Sequence, residues 1–296
     1  MISSLIFSTL LYILLYGTIF GLNYALLTLG FTLVFGVSKI LNLSYGALYM
    51  STAYFIYLFA VMLSINLFVS ILIAVVLTVA IGLAIFMIMT KFARDPMIFM
   101  IAMLLSALLL QYIYTYFFQG EVGLIIPGVV SNVSLNILGV SVSQSYILSA
   151  SVSLILVLAV WLWIDRSSFG RKVRATSEDY ETAELFGINS KMIYLLIFII
   201  STAIVAIAAV LIVPVQVVTP TMWVEPFVVA FAISIIGGLG KLRWTIPAAF
   251  IISFSQVTIL YLVPYNISDI TAFGVVIIFL ILLPKGIGGG KHELQV

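Results

Sequence analysis

The sequence predicts an all-α fold, a polytopic integral membrane helical bundle of about eight to ten transmembrane helices. Of the 296 residues, 64% are hydrophobic and 7% are charged, whereas soluble domains carry about 25% charged residues. Apolar stretches of about 20 residues, the length needed to cross a bilayer as a helix, recur throughout the chain. They lack the alternation over about ten residues that is typical of barrel strands. We therefore treat residues 1–296 as a single transmembrane domain.

The apolar segments give the order of the predicted helices. They cover residues 5–36, 40–63, 67–90, 97–118, 146–164, 192–213, 226–239, 245–263 and 268–283. The first segment is too long for one simple span, and a helix followed by a re-entrant piece is one arrangement for it.

Basic residues predict the orientation of these helices. If the first loop faces the cytoplasm and the segments alternate, all 12 Lys and Arg residues fall on the cytoplasmic side. The loops on the other side then carry only Glu121, Glu225 and Asp269. Lys and Arg near span ends mark the cytoplasmic face, so we expect a multi-pass protein of the cell membrane with a cytoplasmic C-terminus.

Two apolar segments are interrupted, at residues 42–46 and 237–241. Broken helices are tolerated in membranes where they line a cavity or are buried in protein, and in transporters they point to the substrate path. Neutral polar groups in the spans, rather than Asp, Glu or His, favour a translocation route over a proton relay. The candidate translocation path consists of Asn42, Ser44, Gly46, Gln111, Gly237, Gly238 and Gly240.

The residues that most enzymes and metal sites require do not form a recognisable set in this sequence. There is no cysteine, and the single histidine, His292, lies in the C-terminal tail. The glycine-rich stretch 286–291 lacks the spacing of a phosphate-binding loop. We therefore predict no catalytic residue, no metal site and no cofactor, and nothing predicts a nucleic-acid partner.

Residues 165–191 form the one long charged segment, which we expect to be a cytoplasmic loop. Thr176 or Ser177 can cap a short helix over 178–187, whose first turns are acidic and which Gly187 can end. Tyr180, Ala183 and Phe186 fall near one side of such a helix. A docking element and a helix lying on the lipid headgroups both fit this pattern.

The charged segment also carries a family motif. Glu181-Thr182-Ala183-x-x-x-Gly187 resembles the Glu-Ala-Ala-x-x-x-Gly motif of ABC importer permeases, with Thr182 as the departure. Residues 24–37 and 40–46, with Met50, resemble the N-terminal signature of branched-chain amino-acid permeases, although Tyr45 stands where that family usually has His. Residues 105–111, 237–240 and 284–286 are similar as well, so the resemblance runs from about residue 20 to 288.

This resemblance implies the permease subunit of an ATP-driven ABC importer for branched-chain or related hydrophobic amino acids. Its partners would be a second, homologous permease subunit, cytoplasmic ATP-binding subunits and an external substrate-binding protein. Glu181, Thr182, Ala183 and Gly187 would couple the chain to the ATPase. Urea or short amides remain an alternative cargo, and a secondary carrier or channel remains an alternative class. An intramembrane enzyme is disfavoured because no catalytic set is present.

Overall fold

A computed structural model describes residues 2–92, 95–118, 123–128 and 133–262, together with 274, 276–279, 281, 282 and 287. Within them the chain is helical apart from one small hairpin and the connections, so the all-α prediction is confirmed. The elements are α1 (Ile2–Ser38), α2 (Tyr45–Ile56) with a π-helical extension (Tyr57–Met62), α3 (Leu67–Phe92), α4 (Pro96–Phe117), β1 (Ser134–Ile137), β2 (Val140–Ser143), α5 (Gln144–Arg166), α6 (Ser168–Glu178), α7 (Tyr180–Leu185), α8 (Ser190–Ile212) with a 3-10 turn (Val213–Val215), α9 (Val224–Gly237) and α10 (Leu242–Leu262).

Seven of the described helices are long and apolar enough to cross a membrane, namely α1, α2 with its extension, α3, α4, α5, α8 with its turn, and α10. Helix α9 is apolar but shorter, at 14 residues. The last predicted segment, 268–283, lies mostly outside the described residues. The number of helices agrees roughly with the eight to ten predicted.

Helix α1 corrects one expectation. The first apolar segment is a single continuous helix of 37 residues, about 55 Å long, and not a helix followed by a re-entrant piece. Its glycines serve packing instead of breaking the helix: Gly17 and Gly21 lie directly against the rings of Phe254 and Phe250 on α10. Small residues let membrane helices approach closely, and α1 accordingly packs against α5, α8, α9 and α10.

The two predicted interruptions are confirmed, and the structure brings them close to each other. One break separates α1 from α2, and the other separates α9 from α10. At the second, Gly240 has a φ of 80°, and a Cβ placed on it would lie 2.9 Å from the Cα of Gly36. Only glycine allows both this backbone conformation and this contact. The end of α1 therefore rests on the turn between α9 and α10.

This turn belongs to what we call the basic end of the bundle. Helices α1, α5 and α9 finish there, and α8 and α10 begin there; it carries Lys39, Arg166, Lys191, Lys241 and Arg243. The opposite end carries the antiparallel hairpin of β1 and β2. The hydroxyl of Tyr16 on α1 donates to the carbonyl of Ser141, which ties the hairpin to α1.

Candidate translocation and coupling sites

The charged segment folds as two helices, which corrects the expected single helix over 178–187. Asp179 adopts an extended conformation, with φ −149° and ψ 114°, and separates α6 from α7. Asp179 is therefore the N-cap of α7, in place of the predicted Thr176 or Ser177. Those two residues lie in the last turn of α6, where Ser177 donates to the Arg174 carbonyl.

Thr182, the departure from the family motif, takes part in this cap. Its hydroxyl donates to Oδ2 of Asp179 at 2.6 Å, and Oδ1 accepts from the backbone N–H groups of Glu181 and Thr182. These hydrogen bonds lower the pKa of Asp179, and the one from the Thr182 side chain has the largest effect. The ionised cap thus stabilises α7 at pH values above the ordinary pKa of aspartate. This stabilisation is lost as the pH falls through the lowered pKa of Asp179.

Gly187 ends α7 as predicted. Its φ is +79°, and a Cβ there would meet nothing within 4 Å. Gly187 donates to the carbonyl of Glu184, and Ile188 donates to that of Ala183, which is how a left-handed residue closes a helix. Asn189 then caps α8 by accepting from the Met192 N–H.

The exposed apolar surface of α7 differs from the predicted one. Ala183 is buried, so it cannot belong to a docking face, whereas Leu185 and Phe186 are 87% and 82% exposed. The helix is only six residues long, and it leaves these two side chains at its end without a place in the core. Glu181 and Thr182 are exposed as well.

Helix α6 was not predicted from the sequence, although a pair of apolar residues at helical spacing indicates it. Phe169 and Val173 are four residues apart, a helical spacing, with basic residues between them. In the structure Phe169 stacks on Trp163, with ring centroids 4.9 Å apart, and Val173 is buried. Arg174 donates to the carbonyls of Ile164 and Asp165, so α6 caps the end of α5.

The centre of the bundle is where α2 and α9 begin. A Cβ on Gly46 would lie 2.7 Å from the Trp223 carbonyl oxygen and 2.9 Å from the Cβ of Phe227. The indole N–H of Trp223 donates to Oε1 of Gln111 at 2.7 Å. Two predicted path residues, Gly46 and Gln111, thus meet at one tryptophan.

This meeting point lies well inside the bundle. Phe31 contacts Tyr45 and Phe227 ring to ring, and it stands about 10 Å along α1 from the last residue of that helix. Neither α2 nor α9 has a side-chain cap at its N-terminus. The cavity between them holds about 10 Å³, close to the volume of one water molecule.

Asn42 and Ser44 lie in the connection that leads into α2. Oδ1 of Asn42 accepts from the backbone N–H and the hydroxyl of Ser44, at 3.0 and 2.6 Å. The Asn42 amide nitrogen and the hydroxyls of Tyr45 and Ser201 are buried without a hydrogen-bond partner among the described residues. The Tyr45 hydroxyl faces both of these groups. The break thus contains a polar cluster, with Tyr45 where the family usually has His.

The remaining predicted path residues lie at the other break. A Cβ placed on Gly237 would lie 3.0 Å from the backbone of Thr245, and Gly238 and Gly240 have positive φ angles that turn the chain into α10. The structure thus groups Gly46 with Gln111, Asn42 with Ser44, and the three glycines with one another. That they line one path stays a prediction.

Glu225 is a residue that the sequence placed in an outer loop and the structure places deeper. It lies in the first turn of α9, two residues after Trp223, whose carbonyl oxygen lies against Gly46 at the centre of the bundle. We therefore infer that this carboxylate lies within the membrane-spanning part of the bundle. Its side chain is exposed in the single chain.

Comparison with known proteins identifies the family. A family model described as the permease component of the branched-chain amino acid transport system matches residues 5–283. The chain is 28% identical to the high-affinity branched-chain amino acid transport system permease protein BraD of Pseudomonas aeruginosa, over 95% of this chain and 96% of the relative. It is 25% identical to the corresponding protein LivH of Escherichia coli, with the same coverage.

Two solved structures share the fold. PsaBC from Streptococcus pneumoniae in complex with Fab superposes with a TM-score of 0.51 and 14% identity, over 92% of both chains. A metal-chelate type ABC transporter in an inward-facing conformation gives a TM-score of 0.52 and 14% identity, over 92% of this chain and 85% of the other. The family model, which covers most of the sequence, confirms the resemblance carried by the motifs: the chain belongs to the family of permease components of branched-chain amino acid transport systems.

Proposed function

We propose that this chain imports branched-chain or related hydrophobic amino acids as the membrane-spanning subunit of an ABC transporter, and that it has no ATPase site of its own. In this proposal it pairs with a second permease subunit, receives cargo from an external binding protein and is driven by separate ATP-binding subunits. Family membership and the names of the relatives support the cargo. The basic end of the bundle then faces the cytoplasm.

The observation that carries the coupling role is the exposed end of α7. Leu185 and Phe186 are almost fully exposed beside Glu181 and Thr182, and exposed aromatic and aliphatic side chains of this kind are typical anchors of protein interfaces. We propose that residues 180–187 dock into the ATP-binding subunit, within a cytoplasmic loop formed by 165–191.

Helix α7 also borders a pocket that reaches the chain break between α1 and α2. A pocket of about 320 Å³ between α1 and α6–α7 is lined by Lys39, Thr176, Glu178 and Tyr180. Movement of α7 would therefore reach the connection to α2, and through it the starts of α2 and α9 at the centre of the bundle.

Substitution of Gly187 tests this proposal. We expect Gly187→Trp to abolish ATP-driven uptake while the chain still inserts into the membrane and binds its permease partner. Because a Cβ at Gly187 meets nothing within 4 Å among the described residues, the effect would come from the docked partner or from the positive φ. Uptake and assembly are measured in the same membranes.

Gly139→Trp is the matched control for the backbone strain. Gly139 also has a positive φ, of 96°, and open space at its Cβ, but it lies in the hairpin at the opposite end. Full uptake in Gly187→Trp and in Glu181→Lys, or a loss in Gly139→Trp equal to that in Gly187→Trp, would refute the docking role.

A further inference from the structure

One cavity in the described part of the chain lies at the basic end, between α5, α6 and the start of α10. It holds about 490 Å³. Six of its lining residues carry the argument: Trp161, Asp165, Arg174, Lys241, Arg243 and Trp244. The lining also includes Gly240 of the candidate translocation path, but none of the docking residues of α7.

We expect this cavity to lie at the level of the lipid headgroups when the chain is in a membrane. One wall is the last turn of α5 and another is the first turn of α10, and both helices are long enough to cross the membrane. Trp163 lies in the last turn of α5, Trp161 just before it, and Trp244 in the first turn of α10. Three of the four tryptophans of the chain are therefore here, and Trp is enriched at the boundary between membrane and water.

The charge of the cavity favours an anion. Lys241, Arg243 and Arg174 oppose a single carboxylate, that of Asp165. Arg243 binds this carboxylate at 3.0 Å while its side chain remains 73% exposed. Arg174 donates to the backbone carbonyls of Ile164 and Asp165, and these neutral acceptors do not cancel its charge. The lining keeps a net positive charge.

The surface beside the cavity suits an acyl chain. Leu158 and Leu162 are exposed one turn apart on α5, the helix whose C-terminal end forms one wall of the cavity. An anionic headgroup in the cavity would thus continue into apolar surface that faces the membrane. A free phosphate ion or an acidic protein segment would leave this continuation unused.

We propose that this cavity binds the headgroup of an anionic phospholipid. Lys241 and Arg243 contact the phosphate, the tryptophans hold the glycerol region, and the acyl chain lies along α5. Arg174 lines the cavity and also belongs to α6, which leads into α7. Bound lipid would therefore also stabilise the position of residues 180–187, which we propose to dock into the ATP-binding subunit.

Tryptophan quenching by brominated lipid tests the proposal on the full chain in detergent. We expect brominated phosphatidylglycerol to quench at a concentration at least about tenfold lower than brominated phosphatidylcholine. Lys241→Gln and Arg243→Gln should each weaken this preference about fivefold, the effect of one basic residue near an anionic lipid surface. Arg243→Lys should retain it, which separates the loss of charge from the loss of fold.

The matched control is the double substitution Arg171→Gln and Lys172→Gln, which removes two exposed charges from α6 without touching the cavity lining. It should change the preference less than twofold. Equal quenching by both lipids, or an equal loss in this control, would overturn the proposal. So would displacement by millimolar inorganic phosphate, which indicates a free-anion site, or loss of quenching in the assembled transporter, which indicates that a protein subunit covers the cavity.

Discussion

At Glu225 a carboxylate stands in the first turn of the short helix α9, two residues after the Trp223 that lies against Gly46. An ionisable side chain at such a depth costs free energy unless it faces the bundle interior or a hydrated cavity, which makes Glu225 a candidate functional position. An amino acid carries an ammonium group that a carboxylate can bind, whereas urea and short amides carry no charge. Glu225 thus bears on the choice between the two cargo classes.

We expect Glu225→Gln to lower the uptake of a branched-chain amino acid about tenfold or more, because a hydrogen bond to a charged group contributes roughly 1.5–3 kcal/mol. Glu225→Asp should retain part of the rate. Uptake is measured in proteoliposomes that contain the whole transporter. A change of less than about twofold would show that this carboxylate does not bind the cargo and would favour a neutral amide.

The position of Glu225 could not be predicted from hydropathy alone. Hydropathy assigns a charged residue at the end of an apolar segment to the membrane surface, which is correct for a helix that spans the whole bilayer. Helix α9 is only 14 residues long, about 21 Å, so its first turn lies inside. By contrast, Gly187 could be assigned from sequence because the need for a positive φ is local.

Among the elements, α2 and α9 pack closely where they begin, at the centre of the bundle, so that Gly46 leaves no room for a larger side chain. The sequence predicts both breaks, since polar residues and glycines interrupt apolar runs there. It does not predict that Gly46 lies against Trp223, because the two residues are far apart in the chain and their contact depends on the packing of several helices. The same holds for the hydrogen bond from Trp223 to Gln111.

We expect Gly46→Ala to destabilise the protein by about 1–3 kcal/mol, the usual cost of overpacking, because its Cβ would meet the Trp223 carbonyl oxygen at 2.7 Å. Gly274→Ala is the control: this residue is helical and a Cβ there meets nothing within 4 Å. Thermal unfolding in detergent should show a lower midpoint for the first variant only. A midpoint equal to that of the wild type would contradict the described contact.

For the whole molecule, the absence of cysteine allows a direct test of orientation. Leu138→Cys in the hairpin turn and Leu185→Cys in α7 each place a single thiol at an exposed position, and these positions lie at opposite ends of the bundle. In intact cells we expect a membrane-impermeant maleimide to label the first variant and not the second. Inverted vesicles should reverse the pattern. Labelling of Leu185→Cys from outside would overturn the orientation that the basic residues predict.

The nearly filled space between α2 and α9 has an electrical consequence. A cavity of about 10 Å³ holds at most about one water molecule, and Phe31, Tyr45 and Phe227 surround it. In the described conformation this region cannot hold a continuous chain of water molecules. Protons and small ions therefore have no hydrated route through the space between α2 and α9. We therefore expect the space between α2 and α9, in the described conformation, to leak few protons or ions across a membrane that maintains a potential.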